Sequence, residues 1–436
     1  MPRQRVIELT LLFLVGLILC SLYALSAHGS QSSIPTNVLP FLLIILGLLA
    51  TGHAAIRLLI PTADGILFPI AGLLNGIGYV FIVRLDSGLA SNQAIWTAIA
   101  MSAFVLTIFC VRNVLSLRRH KVLCGIIGLS LLMLPLLPYM NNDLGKKKMW
   151  IQLGDFSIQP AELAKVLLPI FFASYLIENR ELLTLGGKSF STFTLPEVRH
   201  LRPLATSSSI SLLILILYQD PGFSLIFFFV STVLLWVASN RLIYLSFGTL
   251  FYAIGVIACV NISNSLQGKI SVWLSPWDHK TDAGYQILQS TFALASGGLT
   301  GTGPGVGSPQ RIPEVETDFI FAVLGEELGL MGATAILISY LLIVGLGCKI
   351  AIRAHSAFET ILAVGLTTVI GAQAAIAIAG VLRLSPLTEL QIPFLAYGPS
   401  SLVSNYIIFG ILLKISQTAT SIDPYSSSTT NGTRSI

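Results

Sequence analysis

The chain is predicted to be an all-α polytopic membrane protein of about twelve transmembrane helices, and three observations carry that expectation. Of its 436 residues 54% are hydrophobic and 10% charged, with mean hydropathy +0.82, whereas a soluble domain carries about 25% charged residues. The apolar residues gather in stretches close to the roughly 20 residues that a helix needs to cross a hydrocarbon core about 30 Å thick. Lys and Arg collect in alternate loops, the pattern that orients helices in a bilayer. The five cysteines, Cys20, Cys110, Cys124, Cys259 and Cys348, lie inside apolar runs, without the paired spacings of a zinc site or a disulfide framework. The formal net charge of +5 is scattered between apolar segments. No nucleic-acid partner is expected, because that class needs a contiguous basic stripe.

Splitting the apolar runs at Pro, Gly and charge clusters places spans at 6–28, 38–59, 65–83, 93–111, 121–140, 160–177, 205–219, 221–239, 242–262, 318–349, 357–381 and 391–415. The first follows Pro2-Arg3-Gln4-Arg5 and does not read as a signal peptide, since no small-residue cleavage site with a soluble domain follows it. Between the seventh and eighth, Tyr218-Gln219-Asp220-Pro221-Gly222 reads either as a loop joining two spans or as a membrane-embedded break in one. Arg3 and Arg5, the group Arg112, Arg118, Arg119 and Lys121, the group Arg180, Lys188, Arg199 and Arg202, and the pair Lys349 and Arg353 all fall on one side of a twelve-span topology. Both termini are therefore expected in the cytoplasm. Three regions follow: an N-terminal transmembrane region 1–120, a transmembrane core 121–416, and a Ser/Thr-rich tail 417–436 expected to be disordered.

Two outer stretches depart from this pattern. Lys146-Lys147-Lys148, just before Trp150, put positive charge on the trans side, so either the topology is off by one span or an anionic partner binds there. The loop 263–317 is Gly-rich, carries Trp273, Trp277 and Tyr285, and is longer than a simple connection.

Acidic groups at helix ends carry the next signal. Asp318 opens the apolar run Thr317–Leu324, where it suits either an N-cap or a partly desolvated carboxylate able to accept a proton. Glu326 lies roughly 80° round the helix from Asp318, on one broad side, and Glu327 falls on roughly the opposite side, towards a neighbouring helix. Pro160 suits a helix start, and Glu162 with Lys165 at i,i+3 forms a pair that either orients the sixth span or meets a ligand. Asp220 and Arg383, the latter at the outer end of the eleventh span, complete the charged set. Near the C-terminus Pro393–Ser401 breaks a helix and offers backbone donors and the hydroxyls of Ser400 and Ser401. Such a break is tolerated at membrane depth only inside protein or beside a cavity.

Together these motifs resemble the SEDS family of bacterial cell-wall polymerases, the RodA, FtsW and SpoVE group. The stretch from Trp150 to Lys165 resembles its W-I-x-L-G-x-F-x-x-Q-P-x-E-x-x-K signature. Gly284-Tyr285-Gln286, Thr317-Asp318-Phe319-Ile320-Phe321 and Gly325-Glu326-Glu327-Leu328-Gly329 resemble its outer loop and following helix. Pro386-Leu387-Thr388 and Pro393–Leu402 resemble its C-terminal elements. Two extra N-terminal spans, with Ala54-Ala55-Ile56-Arg57 and Leu73–Gly78, look like the RodA-type members of actinobacteria.

The resemblance implies a peptidoglycan glycosyltransferase that polymerises lipid II at the outer face of the cytoplasmic membrane for cell elongation and shape. It implies a class B penicillin-binding protein and the elongation machinery as partners. It further implies Asp318 as catalytic base, with Lys148, Trp150, Gln159, Glu162, Lys165, Tyr285, Gln286, Glu326, Arg383, Ser400 and Ser401 as substrate-binding residues. Leaving-group charge falls to Lys148, then to Lys147 and Arg383. A divalent cation, magnesium or manganese, is compatible with this chemistry, but no motif demands one, and no cofactor is certain. The chain departs from the family pattern at Pro399, where a second Gly is usual, at Glu316, where His is frequent, and at Pro221, where Leu is common. The alternatives are an FtsW-type division polymerase, a flippase for lipid-linked precursors and a non-catalytic scaffold.

Overall fold

The computed structural model describes residues 2–29, 38–136, 149–153, 156–180, 189–190, 193–194, 202–281 and 283–421. It is nearly all helical. The helices are α1 (Pro2–Gly29), α2 (Val38–Leu59), α3 (Leu67–Leu85), α4 (Ser87–Cys110), α5 (Leu115–Arg119), α6 (Lys121–Met133), α7 (Pro160–Glu178), α8 (Arg202–Tyr218), α9 (Pro221–Ser239), α10 (Ile243–Ile262), α11 (Asn264–Leu274), α12 (Ala283–Gly297), α13 (Ile320–Arg353), α14 (Ala357–Val381) and α15 (Pro399–Ser421). Two short antiparallel pairs accompany them: β1 (Ile151–Leu153) with β2 (Phe156–Ile158), in register Ile151 to Ile158, and β3 (Ser189–Phe190) with β4 (Phe193–Thr194).

Among the described residues nine helices are long and apolar enough to cross a membrane. Three shorter apolar helices, Leu43–Leu59, Lys121–Met133 and Thr206–Tyr218, stand at the second, fifth and seventh expected spans. Helices α3, α7, α9 and α14 are buried round most of their circumference, whereas α1 and α10 face outward along most of theirs. An apolar helix exposed in this way needs lipid or another helix beside it.

The element ends sort into two groups. At one end Lys349 Nζ bonds Asp64 Oδ2 at 3.1 Å, the Asp64 amide donates to Ser416 Oγ at 3.0 Å, and Lys121 pairs with Glu178. At the other end Gln159 meets Ser400, Lys269 meets Asp220, and Tyr397 meets Glu316. The second end gathers the long region 263–317, and β2 leads directly into that end through Gln159. Lys146, Lys147 and Lys148 themselves lie outside the described residues.

One open reading closes and three boundaries differ from the sequence expectation, each for a local reason. The segment 205–239 forms two helices, because Gln219 turns the chain at φ 56° and the Asp220 carboxylate caps α9 by accepting from the Gly222 amide at 2.9 Å. The expected loop 263–317 contains α11, capped by Ser263, and α12. The final span begins at Pro399, since Pro393–Gly398 stays non-helical and Pro suits the first helical position. The same helix runs on to Ser421, past residue 416. The span expected at 318–349 starts at Ile320 and is broken at Gly329, whose φ of 67° and ψ of −170° are not helical.

Candidate functional site

Three structures converge at the second end: the α7 start, the break before α15, and the chain entering α13. Pro160 is the first residue of α7, as its fixed φ favours, and the preceding Gln159 donates its amide to Ser400 Oγ at 2.9 Å. One turn into α7, Glu162 and Lys165 are both fully buried and paired with each other. Lys165 Nζ also donates to Gln373 Oε1 at 2.6 Å and Asn405 Oδ1 at 2.9 Å. Gln373 Nε2 donates to Glu162 Oε1 at 3.1 Å, and Ser404 Oγ donates to Glu162 Oε2 at 3.0 Å. Ser401 joins through Gln373 and Asn405. The pair is therefore closed by side chains from α14 and α15, which is what two buried charges need.

Residues Pro393–Gly398 are packed inside protein, with Tyr397 alone half-buried. Phe394, at φ 65°, anchors them, its ring 5.2 Å from Tyr406 and 4.8 Å from Phe409. Helix α3 comes so close at Gly78 that a Cβ there would lie 2.1 Å from the Leu395 carbonyl oxygen. Tyr340 Oη donates to the Pro393 carbonyl at 2.6 Å, and the Tyr397 amide donates to the Glu316 carbonyl at 2.8 Å. Burial pushes the Tyr397 phenol above its ordinary pKa, partly offset by its bond with Asn92, and Asp86 and Glu316 add to the rise.

The bond from Tyr397 to Glu316 sets the break beside Asp318. That residue is half-buried, and its amide closes a turn on the Glu314 carbonyl at 3.2 Å. The helix cap is Phe319, with no side-chain cap bond, so the N-cap position expected for Asp318 falls to its neighbour. Asp318 sits ahead of the helix, at the edge of the break.

Beyond Asp318, Glu326 Oε1 accepts from the Ser308 amide at 3.0 Å, and Glu327 Oε2 accepts from the Gly305 amide at 2.8 Å. Glu327 also pairs with Arg84 of α3, the neighbouring helix that its position opposite Asp318 predicts. Tyr285, exposed, and Gln286, half-buried, lie on α12, which lays Leu294 over Gly325 of α13. Trp150 is partly buried against the core. Arg383 is exposed at φ 61°; its Nε and Nη2 donate to the Trp273 and Leu274 carbonyls, each at 3.0 Å, while Trp273 Nε1 donates back to the Arg383 carbonyl at 3.1 Å. This ties α11 to the chain after α14. Lys148 lies outside the described residues.

Sequence reasoning missed several groups. Lys269 bridges the carboxylates of Asp220 at 3.3 Å and Glu389 at 3.5 Å. Burial alone lowers its pKa, but those two carboxylates outweigh it, so the ammonium is held above the ordinary lysine value. Gln391, like Gln159, buries both ends of its side-chain amide without a hydrogen-bond partner among the described residues. Buried polar groups are normally bonded, so the two amides mark polar ground beside Ser400 and Ser401. Gln373, Gln391 and Asn405 are uncharged, and a search led by charge passes over them. Among the described residues no cluster of three or more His, Cys, Asp or Glu side chains could hold a metal ion.

Comparison with known proteins adds the relationship. The family model for FtsW, RodA and SpoVE, described as cell cycle protein, matches residues 66–421. The peptidoglycan glycosyltransferase RodA of Mycobacterium tuberculosis is 37% identical over 430 residues, covering 96% of this chain and 92% of that protein. The stage V sporulation protein E of Bacillus subtilis is 32% identical over 318 residues, covering 72% and 84%. Among solved structures, a chain of a peptidoglycan synthase complex aligns with TM-score 0.67 at 21% identity, covering 82% of this chain and 99% of that one. The rod shape determining protein RodA of Thermus thermophilus aligns with TM-score 0.56 at 20% identity, covering 83% and 98%. These two likenesses establish the shared fold.

Proposed function

From the premise that the chain belongs to the FtsW/RodA/SpoVE family, we propose that it is a peptidoglycan glycosyltransferase polymerising lipid II, with Asp318 as its general base. The protein is a multi-pass membrane protein, and in this reading the end holding Asp318 faces outward while both termini lie in the cytoplasm. The observation that carries the assignment is the position of Asp318, half-buried ahead of α13 and set against the C-terminal break by the bond from Tyr397 to Glu316.

The reaction divides the labour. The GlcNAc 4-hydroxyl of one unit attacks the anomeric carbon of the MurNAc of another, undecaprenyl pyrophosphate leaves, and the transition state has oxocarbenium character. Asp318 takes the hydroxyl proton, a role worth about 10²–10⁴-fold in rate. Charge on the departing pyrophosphate is met by Lys148 in the segment before Trp150, with Lys147 beside it. A magnesium or manganese ion carried by the pyrophosphate would help to neutralise that charge. The buried amides of Gln159 and Gln391, beside Ser400 and Ser401, supply donors and acceptors for sugar hydroxyls. Glu162 and Lys165 hold α7, α14 and α15 in register behind them.

A class B penicillin-binding protein is the proposed partner. The outward apolar faces of α1 and α10 leave room for an added transmembrane helix. The test is polymer formation from purified lipid II in detergent, with the transpeptidase of the partner blocked. Asp318→Asn should fold and insert yet lose polymerisation. Near-normal polymer would remove Asp318 from the base role, and no polymer from the unaltered protein would favour a flippase or scaffold.

A further inference from the structure

Helix α13 is two helices in one. At Gly329 the backbone ladder is handed to the Gly-rich stretch that follows α12. In an unbroken helix the carbonyls of Glu326 and Glu327 would accept from the amides of Leu330 and Met331. Here they accept from Thr302 at 2.9 Å and Gly303 at 3.1 Å, while Leu330 and Met331 donate to the carbonyls of Gly298 at 3.0 Å and Leu299 at 3.1 Å. The two carbonyls and two amides that the break would strand are satisfied by the exchange, as membrane depth requires. The approach is close enough that a Cβ on Gly329 would lie 2.2 Å from the Gly301 amide nitrogen. The half-helix Ile320–Leu328 is therefore joined to this stretch more firmly than to the long span beyond it.

That join makes the orientation of the half-helix a side-chain matter. Gly305 and Ser308 donate to the carboxylates of Glu327 and Glu326. Arg84, at the end of α3, closes the unit from outside: it pairs with Glu327, and its Nη2 donates to the Gly307 carbonyl at 3.0 Å. One guanidinium thus holds both sides of the stretch, a two-point grip that its fork of donors makes and a lysine cannot. The far side is backed by α1, where a Cβ on Gly29 would lie 2.3 Å from the Pro304 carbonyl oxygen. Asp318 stands at the opposite end of the half-helix from Glu327. The seven steps of helical rise from Ile320 to Glu327 already span about 10 Å, so a ten-degree swing at the grip would move the start of the half-helix, and Asp318 ahead of it, by about 2 Å. Displacements near 1 Å already cost about 10²-fold in rate.

We propose that Arg84 is a positioning residue for glycan polymerisation: by gripping Glu327 and the Gly307 carbonyl together it fixes the half-helix, and with it Asp318, against the C-terminal break. The inference rests on Asp318 being the base. Arg84 touches no substrate in this account, so its removal lowers turnover and leaves substrate affinity alone.

The test compares Arg84→Lys, which keeps the charge but loses the fork, with the neutral pair Arg84→Gln and Glu327→Gln, which strands no buried charge. The full chain with its blocked transpeptidase partner is assayed on lipid II for kcat and KM, and the folded fraction and unfolding temperature are recorded. Arg84→Lys should lower kcat about tenfold with KM within about twofold and an unchanged unfolding temperature, and the neutral pair should lower kcat about 10²-fold. The proposal is overturned if folded Arg84→Lys turns over at the normal rate, if KM rises at constant kcat, or if activity falls only in step with the folded fraction. Asp318→Asn runs alongside. Activity in that variant sinks the base assignment itself, whereas an inactive Asp318→Asn beside a normal Arg84→Lys sinks the positioning role alone.

Discussion

Two carboxylates near helix starts at the same end of the molecule, Glu162 and Asp318, have opposite surroundings. Glu162 is fully buried and meets Lys165, Gln373 and Ser404. Asp318 is half-buried, ahead of its helix, on a turn pressed against a non-helical segment. The first arrangement is closed by protein and holds three helices together. The second is only partly covered and stands ahead of its helix, where the proposed function needs a group that substrate can reach. Both are acidic residues at the start of apolar runs, only Glu162 having a lysine at i,i+3, and the contrast makes the enclosure of a charge the criterion by which the account separates scaffold from chemistry.

The comparison breaks most visibly at the closed cluster. Glu162→Ala strands Lys165 in the interior, and losing one partner of a buried pair costs about 3–5 kcal/mol. Thermal unfolding in detergent should show a large drop, with activity lost along with the folded protein. Replacing both partners, Glu162→Gln with Lys165→Met, should recover most of that stability, since apolar or neutral substitutes for a buried pair are often well tolerated. If the double variant were folded but inactive, Glu162 and Lys165 would move from scaffold to substrate contact.

A smaller effect belongs to Lys269, whose side chain is 29% exposed. Its folded pKa is raised, so its stabilising contribution is complete at neutral pH. That contribution fades only as pH climbs above the ordinary lysine value of about 10.4 and through the folded value. Lys269→Met should lose about 1 kcal/mol or less at neutral pH, and the gap between variant and parent should close in strongly alkaline buffer. A gap that widened there would reverse the sign of the argument. The smallest effect is expected for Arg383→Ala, which removes two exposed bonds to the Trp273 and Leu274 carbonyls. Amide exchange in α11 should quicken while the global unfolding temperature hardly moves. Unchanged exchange would show that the Trp273 bond and the Lys269 bridge hold α11 without the Arg383 side chain.

Much of this was legible before any coordinates. The apolar stretches marked the helices, Pro160 marked the start of α7, and the spacing of Glu162 and Lys165 marked their pair, because each signal is local. Tyr218–Gly222 was legible as an interruption, but its outcome as two helices depended on Gln219 adopting φ 56° and on Asp220 capping α9. The break at Gly329 was hidden, since one Gly in an apolar run is compatible with a continuous helix. The available clue lay elsewhere, in Gly301, Gly303, Gly305 and Gly307 at alternate positions, a pattern suited to close backbone approach. Arg84 was hidden for another reason. At the end of a span it looks like any flanking charge, and its partner is more than 200 positions away in the chain.

The central claim is that Asp318, at the open end, performs the chemistry for which the closed cluster provides the frame. Its most direct test is glycan polymer formed from lipid II in detergent by the purified chain and its Asp318→Asn variant, at matched folded fractions and with the transpeptidase of the partner blocked. The account predicts long polymer from the first and at least about 10²-fold less from the second. Comparable polymer from both would contradict it.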